Sequence, residues 1–345
     1  MSISNELINW YKKNARNLPW RKTKDAYSIW LSEIILQQTR VEQGLPYYNA
    51  FLKAYPSLAH FSKASEDEIL KMWQGLGYYS RARNMRFTAQ QIMNQYQGKF
   101  PEKHSEILAL KGVGSYTAAA IASFAYNLPF AVLDGNVFRV LSRYYGVEIP
   151  INSTAGKKHF EQLAQEILDN KHADWHNQAI MEFGALVCKP KKALCTICVL
   201  KASCWAFARN KVDEFPKKDK KIKIKNRYLH YFLLEDEKKI FIEKRDNSDI
   251  WRGLYQLPFI ETEKEEITWP HEKFRLWLGE RNYTMLETNS VKHKLTHQNL
   301  NLNFYHIRVN SIKHIPFMAI DKKQWNNWAF PQPIHNYLIQ KGNLW

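Results

Sequence analysis

Apolar positions in the first two-thirds of the chain recur at helical spacing, interrupted by short Gly, Pro or Ser punctuation. The pattern predicts helices over Tyr27–Gln43, Glu66–Trp73, Ser80–Gln95, Ser115–Tyr126, Val137–Tyr145 and Gly156–Asp169. Ser65-Glu66-Asp67-Glu68 ahead of Ile69 has the form of a capping box, which sharpens one helix start. Beyond Arg227 the period shortens to two. Tyr228–Leu234 and Lys239–Glu243 read as strands around a polar turn, and Leu300, Leu302 and Phe304 alternate with asparagines. Helical stretches near His271–Gly279 and Pro333–Gln340 complete that part, and no internal repeat is present. The expected architecture is an all-α domain over residues 1–215, a linker over 216–227 and a smaller α+β domain over 228–345.

Composition narrows the class. At 345 residues the chain is long for one core, and 45% hydrophobic with 24% charged residues is a globular balance. No apolar run approaches the ~20 residues of a bilayer span, and the first residues lack the basic start and apolar core of a secretory signal. These features predict a soluble, cytoplasmic protein with no membrane partner. Fifty Lys and Arg against 33 Asp and Glu give a formal charge of +17. Such an imbalance suits a polyanionic partner, although a merely soluble basic protein would share it. The linker concentrates the charge, with seven basic residues and one acid between Pro216 and Arg227.

Candidate chemistry lies in a few strings. Cys188, Cys195, Cys198 and Cys204 fall within 17 residues, and the chain has no other cysteine. Four thiolates in one short loop suit a [4Fe–4S] cluster or zinc; zinc more often uses two short knuckles, so the uneven 6-2-5 spacing favours the cluster. Leu110-Lys111-Gly112-Val113-Gly114-Ser115 reads as a hairpin between two helices. Its amides and the following helix N-terminus would form a phosphate site, and a plain turn is the alternative. Glu33 shares a helix face with Ile29, Trp30 and Leu36. Desolvation there would raise its pKa into the range of a general acid, unless a buried ion pair holds it. Asp134 opens Asp-Gly-Asn before a helix, where an ordinary capping role competes with a catalytic one.

Together these residues resemble the helix-hairpin-helix DNA glycosylases with a C-terminal iron–sulfur loop, and within them the MutY family of adenine DNA glycosylases. The likeness is carried by Leu18-Pro19-Trp20-Arg21, by Trp30 to Val41, by Gly75-Leu76-Gly77-Tyr78-Tyr79-Ser80-Arg81, by Gly112 to Ala118, by Leu133 to Val137, by Asn177 to Glu182 and by the cysteine loop. It covers the N-terminal two-thirds almost continuously. The resemblance implies a hydrolase of base excision repair that flips adenine, mispaired with 8-oxoguanine or guanine, out of duplex DNA. Glu33 would protonate adenine N7, and Asp134 would stabilise the sugar cation, positioned by Tyr116 and Asn136. Related endonuclease III enzymes carry a lysine nucleophile where this chain has Tyr116, so strand cleavage is not expected.

The same likeness implies DNA contacts at Arg21, Gln38, Thr39, Tyr78, Arg81, Lys111, Gly112, Gly114, Thr296 and His297. Gln38 and Tyr78 match the wedge residues that enter the stack; as read from the residues alone, both could be ordinary helix-surface positions. Lys189, Lys191 and Lys192 would contact phosphate from the cysteine loop. Lys244-Arg245-Asp246 and Trp251 to Pro258 resemble the Nudix-like domain by which the family recognises 8-oxoguanine, without the metal-binding Nudix box. Leu295-Thr296-His297 stands where the family has Phe-Ser-His, and Gln178 where some relatives have an acid. The expected protein is monomeric and associated with the nucleoid. The rival readings are an endonuclease III-like lyase and a catalytically silent DNA-binding protein.

Overall fold

The computed structural model describes residues 2–219, 224–246, 249–310 and 315–342. Four positions of the expected linker, Lys220 to Lys223, lie outside the described residues. Among the described residues, twelve α-helices are followed by a mixed α/β segment. The helices are α1 (Ile3–Asn14), α2 (Ala26–Ile35), α3 (Val41–Ala54), α4 (Leu58–Lys63), α5 (Glu66–Trp73), α6 (Ser80–Gln95), α7 (His104–Leu108), α8 (Ser115–Tyr126), α9 (Gly135–Tyr145), α10 (Thr154–Glu166), α11 (Ala173–Leu186) and α12 (Trp205–Ala208). Among the described residues, no helix is long and apolar enough to cross a membrane.

The starts of α5, α6 and α8 fall where periodicity and capping put them, and Ser65 and Glu68 form the full capping box of α5. The expected helix over Tyr27–Gln43 is two helices. α2 stops at Ile35, Gln38 takes φ 56°, and α3 begins at Val41. The apolar period runs through the break because both helices bury one face, so pattern alone could not reveal it.

The chain forms two compact units, Met1–Lys63 with Asn84–Lys220, and Ala64–Arg83 with Lys221–Trp345. In the first, α2 and α8 pack closely, as do α9 and α11, and α1 lies along α11. Leu31, Ile35, Ala118, Ile121, Val140, Leu141 and Phe183 are buried there. Small alanines on α8 allow the close approach of α2.

The second unit is built on β1 (Lys225–Glu235), β2 (Lys239–Lys244), β3 (Tyr255–Gln256), β4 (Phe259–Thr262), α13 (Glu272–Leu278), β5 (Tyr283–Lys294), β6 (Gln298–Val309), β7 (Met318–Asp321) and α14 (Gln332–Gly342). β1 starts inside the stretch expected to be linker. The sheet runs β3-β2-β1-β6-β5, with β4 also on β1 and β7 on β2; β1 and β6 are parallel, the other pairs antiparallel. Leu229, Tyr231, Leu300, Leu302 and Phe304 fill one face with α14, while Phe232, Leu234, Ile307 and α13 fill the other.

α5 packs within this second unit although it lies early in sequence. Asp67 accepts from Lys244 Nζ at 2.7 Å and from the Tyr255 hydroxyl at 3.2 Å. Arg83 donates to the Arg252 carbonyl at 2.6 Å, and Lys71 to Asn326 at 3.0 Å.

Candidate active site and candidate phosphate hairpin

A cavity of about 810 Å³ opens in the first unit, lined among others by Trp20, Glu33, Gln37, Tyr116, Asp134 and Gln178. That volume lies in the upper part of the ~300–1,000 Å³ typical of ligand pockets. Glu33 comes from the last full turn of α2 and is 6% exposed. The Tyr116 hydroxyl, from the first turn of α8, donates to its Oε2 at 2.7 Å. Burial raises the Glu33 pKa to about 7; the Tyr116 hydrogen bond opposes the rise and the Asp134 charge adds to it. Burial and the neighbouring acids push the Tyr116 phenol well above 10, so it remains a hydrogen-bond donor.

Asp134 faces the same cavity as the N-cap of α9. Its Oδ1 accepts from the backbone N–H of Asn136 and Val137, both at 2.8 Å, and its Oδ2 from the Asn136 side chain at 2.7 Å. Burial raises its pKa, while these donors pull the other way by favouring the charged form. The Asn136 side chain thus bonds Asp134, while the Tyr116 hydroxyl bonds Glu33 rather than Asp134. The cavity thus holds one carboxyl poised to keep a proton near neutrality and a second set among donors at a helix N-terminus.

Arg139 supports the site and was not singled out from sequence, whereas Gln178 and Glu182 entered only through the resemblance. Arg139, one turn along α9, donates to Asn136 Oδ1 at 2.8 Å and to the carbonyls of Gly135, Gly184 and Cys188 at 3.0, 2.6 and 2.6 Å. Gln178 Oε1 accepts from the Tyr11 hydroxyl at 2.8 Å, which fixes its amide at the cavity wall. Glu182 is fully buried between Arg16 and Arg21. Burial pushes its carboxyl up, but the bonds from the two arginines outweigh that and hold it at about 2. A basic residue and an acid far apart in sequence give no local sign of such pairs.

Arg21 was expected on DNA, yet its guanidinium donates to Glu182 at 2.9 and 2.7 Å and to the Arg16 carbonyl. These three bonds all lie inside the protein. Gln38 is exposed at the tip of the α2–α3 turn, and Thr39 closes that turn through its N–H to the Leu36 carbonyl. Gln37 reaches across to Thr117 Oγ1 at 3.2 Å.

The hairpin between α7 and α8 has the expected form. Gly112 takes φ 78°, and a Cβ there would lie 2.7 Å from the Asn84 side chain, so only glycine fits. Thr88 donates to the Lys111 carbonyl at 2.6 Å, and Gln91 accepts the Lys111 N–H at 3.4 Å. Lys111, Gly112 and Gly114 are exposed, and Gly114 caps α8 without a side chain, leaving its first N–H groups to an outside acceptor.

All four cysteines line one small cavity of about 30 Å³ with Arg143 and Leu194. Arg143 Nη1 lies 3.3 Å from Cys188 Sγ and donates to the Lys189 carbonyl at 2.8 Å. Among the described residues no three His, Cys, Asp or Glu side chains converge on a single ion. Four soft donors around a shared space, with an adjacent guanidinium to offset thiolate charge, are a donor set that fits an iron–sulfur group. Lys191 and Lys192 of this loop are exposed, and Lys189 is half-buried.

In the second unit, Tyr78 is 49% exposed with φ 46°, and its hydroxyl is hydrogen-bonded to Thr296 Oγ1. Thr296 and His297 are exposed in the β5–β6 hairpin loop, and Leu295 packs onto the domain core. Gln38 and Tyr78 are thus tips of left-handed turns, not residues on regular helix surfaces. Arg81 donates to the carbonyls of Leu76 and Gly77.

Residues 31–170 match the model of the HhH-GPD superfamily base excision DNA repair proteins, and residues 230–340 that of the NUDIX domain. The adenine DNA glycosylase of Buchnera aphidicola subsp. Baizongia pistaciae is 36% identical over 338 residues, covering 95% of this chain and 92% of its own. The Homo sapiens adenine DNA glycosylase is 37% identical over 217 residues, covering 60% of this chain and 39% of its own. Among solved structures, a thermostable thymine-DNA glycosylase superposes with TM-score 0.56 at 29% identity, over 60% of this chain and 95% of that one. An endonuclease III–DNA complex superposes with TM-score 0.53 at 18% identity, over 60% of this chain and 94% of that one, a likeness of fold.

Proposed function

The chain belongs to the adenine DNA glycosylases of base excision repair, and from that premise we propose that it removes adenine mispaired with 8-oxoguanine or guanine and leaves an abasic site. The observation that carries the reading is the pair of unlike carboxyls in one cavity: Glu33, protonated up to about pH 7, and Asp134, held by three donors. Adenine flipped into the cavity takes the Glu33 proton at N7. The C1′–N9 bond then breaks with its electron pair leaving on the base, and the Asp134 carboxylate faces the sugar cation. Water adds to C1′, and the proton it releases returns to Glu33. The sequence parallels glycoside hydrolysis by two carboxyl groups.

Tyr116 keeps Glu33 oriented and lacks the amine that a Schiff base requires, which supports base removal without strand cleavage. Gln38 and Tyr78 act as wedges beside the flipped base and its partner. Lys111, Gly112, Gly114 and the α8 N-terminus grip the phosphate backbone without reading sequence, and Thr39 supports the Gln38 turn. Thr296 and His297 read the 8-oxoguanine edge. Cys188, Cys195, Cys198 and Cys204 would hold a [4Fe–4S] cluster, which when bound supplies a rigid cross-brace for the loop carrying Lys189, Lys191 and Lys192. The protein acts as a monomer, with residues 1–215 as the glycosylase domain and 228–345 as the recognition domain.

The test is single-turnover cleavage of a labelled duplex bearing A opposite 8-oxoguanine, with A:T as control. Breaks confined to the mispaired adenine, and appearing only after hot alkali, are expected. Breaks without alkali would instead make the protein a lyase, and tight binding without base loss would make it a silent binder.

A further inference from the structure

The turn after α5 is held from inside by side chains that include Arg81 and Trp73. Gly75, Gly77 and Tyr78 have φ of 100°, 69° and 46°. An aromatic residue rarely adopts a left-handed conformation unless its surroundings impose it. Arg81 Nη2 donates to the carbonyls of Leu76 and Gly77, each at 3.1 Å, and Trp73 Nε1 donates to the Gly77 carbonyl at 2.9 Å. The guanidinium carbon lies 4.9 Å from the Trp73 ring centre and 5.9 Å from that of Tyr78. Trp73 is fully buried. The guanidinium therefore links a fixed ring to the ring that the turn presents. Burial lowers the Arg81 pKa to about 10, as befits a cation withdrawn from water.

We propose that Arg81 is a positioning residue that closes the Gly75–Tyr78 turn and aims the Tyr78 ring, and that it is not a phosphate contact. The importance of this for catalysis rests on the reading of Tyr78 as a wedge. A phosphate bound through Nη2 would compete for the N–H groups that now hold the Leu76 and Gly77 carbonyls. Opening them would free the backbone that keeps Tyr78 left-handed. A lysine cannot substitute, since an ammonium offers neither the planar fork nor the stacking face.

Three measurements on the full-length protein decide the matter. Hydrogen–deuterium exchange over residues 74–80 of the free protein reports on the turn, the salt dependence of binding to an undamaged duplex counts phosphate contacts, and single-turnover excision reports on the wedge. Arg81→Met and the milder Arg81→Lys should both raise exchange in the segment and leave the salt slope at its wild-type value. Both should slow excision about 10- to 100-fold through misplacement. Combined with Tyr78→Ala, neither should be worse than Tyr78→Ala alone. Gly77→Ala, strained at φ 69° with open space around its added Cβ, should reproduce the exchange and excision effects. A slope that falls by about 0.9 in Arg81→Met and recovers in Arg81→Lys, or exchange that does not change, would overturn the proposal. Full excision by Tyr78→Ala would defeat the wedge reading instead, with exchange and salt slope still deciding the role of Arg81.

Discussion

Glu33 takes its chemistry from the apolar face on which α2 carries it. Burial lifts its pKa from the ordinary 4.5 to about 7, so as pH rises the unfolded chain releases this proton first and the native state loses stability between those values. Glu33→Gln should abolish excision while raising stability relative to wild type at pH 8 by up to ~3 kcal/mol, with the gain absent near pH 4; thermal unfolding at the two pH values checks it. Excision by the wild type should fall as pH rises through about 7. Tyr116→Phe removes a donor that favours ionised Glu33, so its pH–rate profile should shift to higher pH. The apolar neighbours of Glu33 and the turn chemistry of Asp134 were legible because both are local. The Tyr116–Glu33 bond joins residues 83 positions apart, and no spacing rule reaches that far. The internal bonds of Arg21 and Arg81 were illegible for a related reason: a sequence displays a charge but not the carbonyls or carboxylates to which it donates.

At the scale of elements, α9 ties the site to its surroundings. Arg139 binds a side-chain oxygen and three carbonyls across α9, the end of α11 and the cysteine loop. Arg139→Met would leave buried carbonyls unpaired, and a loss of roughly 3 kcal/mol is expected. Excision should also drop at temperatures well below the melting point, because Asn136 would no longer hold Asp134; thermal unfolding and single-turnover rates separate the two effects. Helix existence was readable wherever a cap or glycine marked an end, as at Ser65 and Gly114. The α2–α3 break was not, since Gln38 carries no signature of a left-handed turn and the apolar pattern continues on both sides.

Across the whole molecule, the +17 charge prepares the surface for a polyanion. Affinity for duplex DNA should fall steeply with salt, and Lys111→Ala should reduce the slope by ~0.9, the share of one phosphate contact; binding titrations between low and physiological salt provide the check. The change of hydrophobic period along the chain marked a helical part followed by an α+β part. It could not reveal that Ala64–Arg83 packs within the second unit, because domain membership follows contacts such as Asp67 with Lys244 and Arg83 with Arg252 rather than chain continuity. Tyr78 and Thr296, 218 positions apart in sequence, consequently belong to one body.

Asp134 serves at once as a candidate reacting group and as the peg that starts α9. Any replacement that cannot cap the helix removes the carboxylate and about 0.5–2 kcal/mol of stability together. A copy that still clasped a lesion without processing it would shield that lesion from working copies. Most substitutions that removed the carboxylate at this position would also remove the cap, so loss of the candidate reacting group would come with loss of stability. Asn is the exception, a good cap without the charge, and it is the substitution for which obstruction should be most visible in a mixture with the wild type.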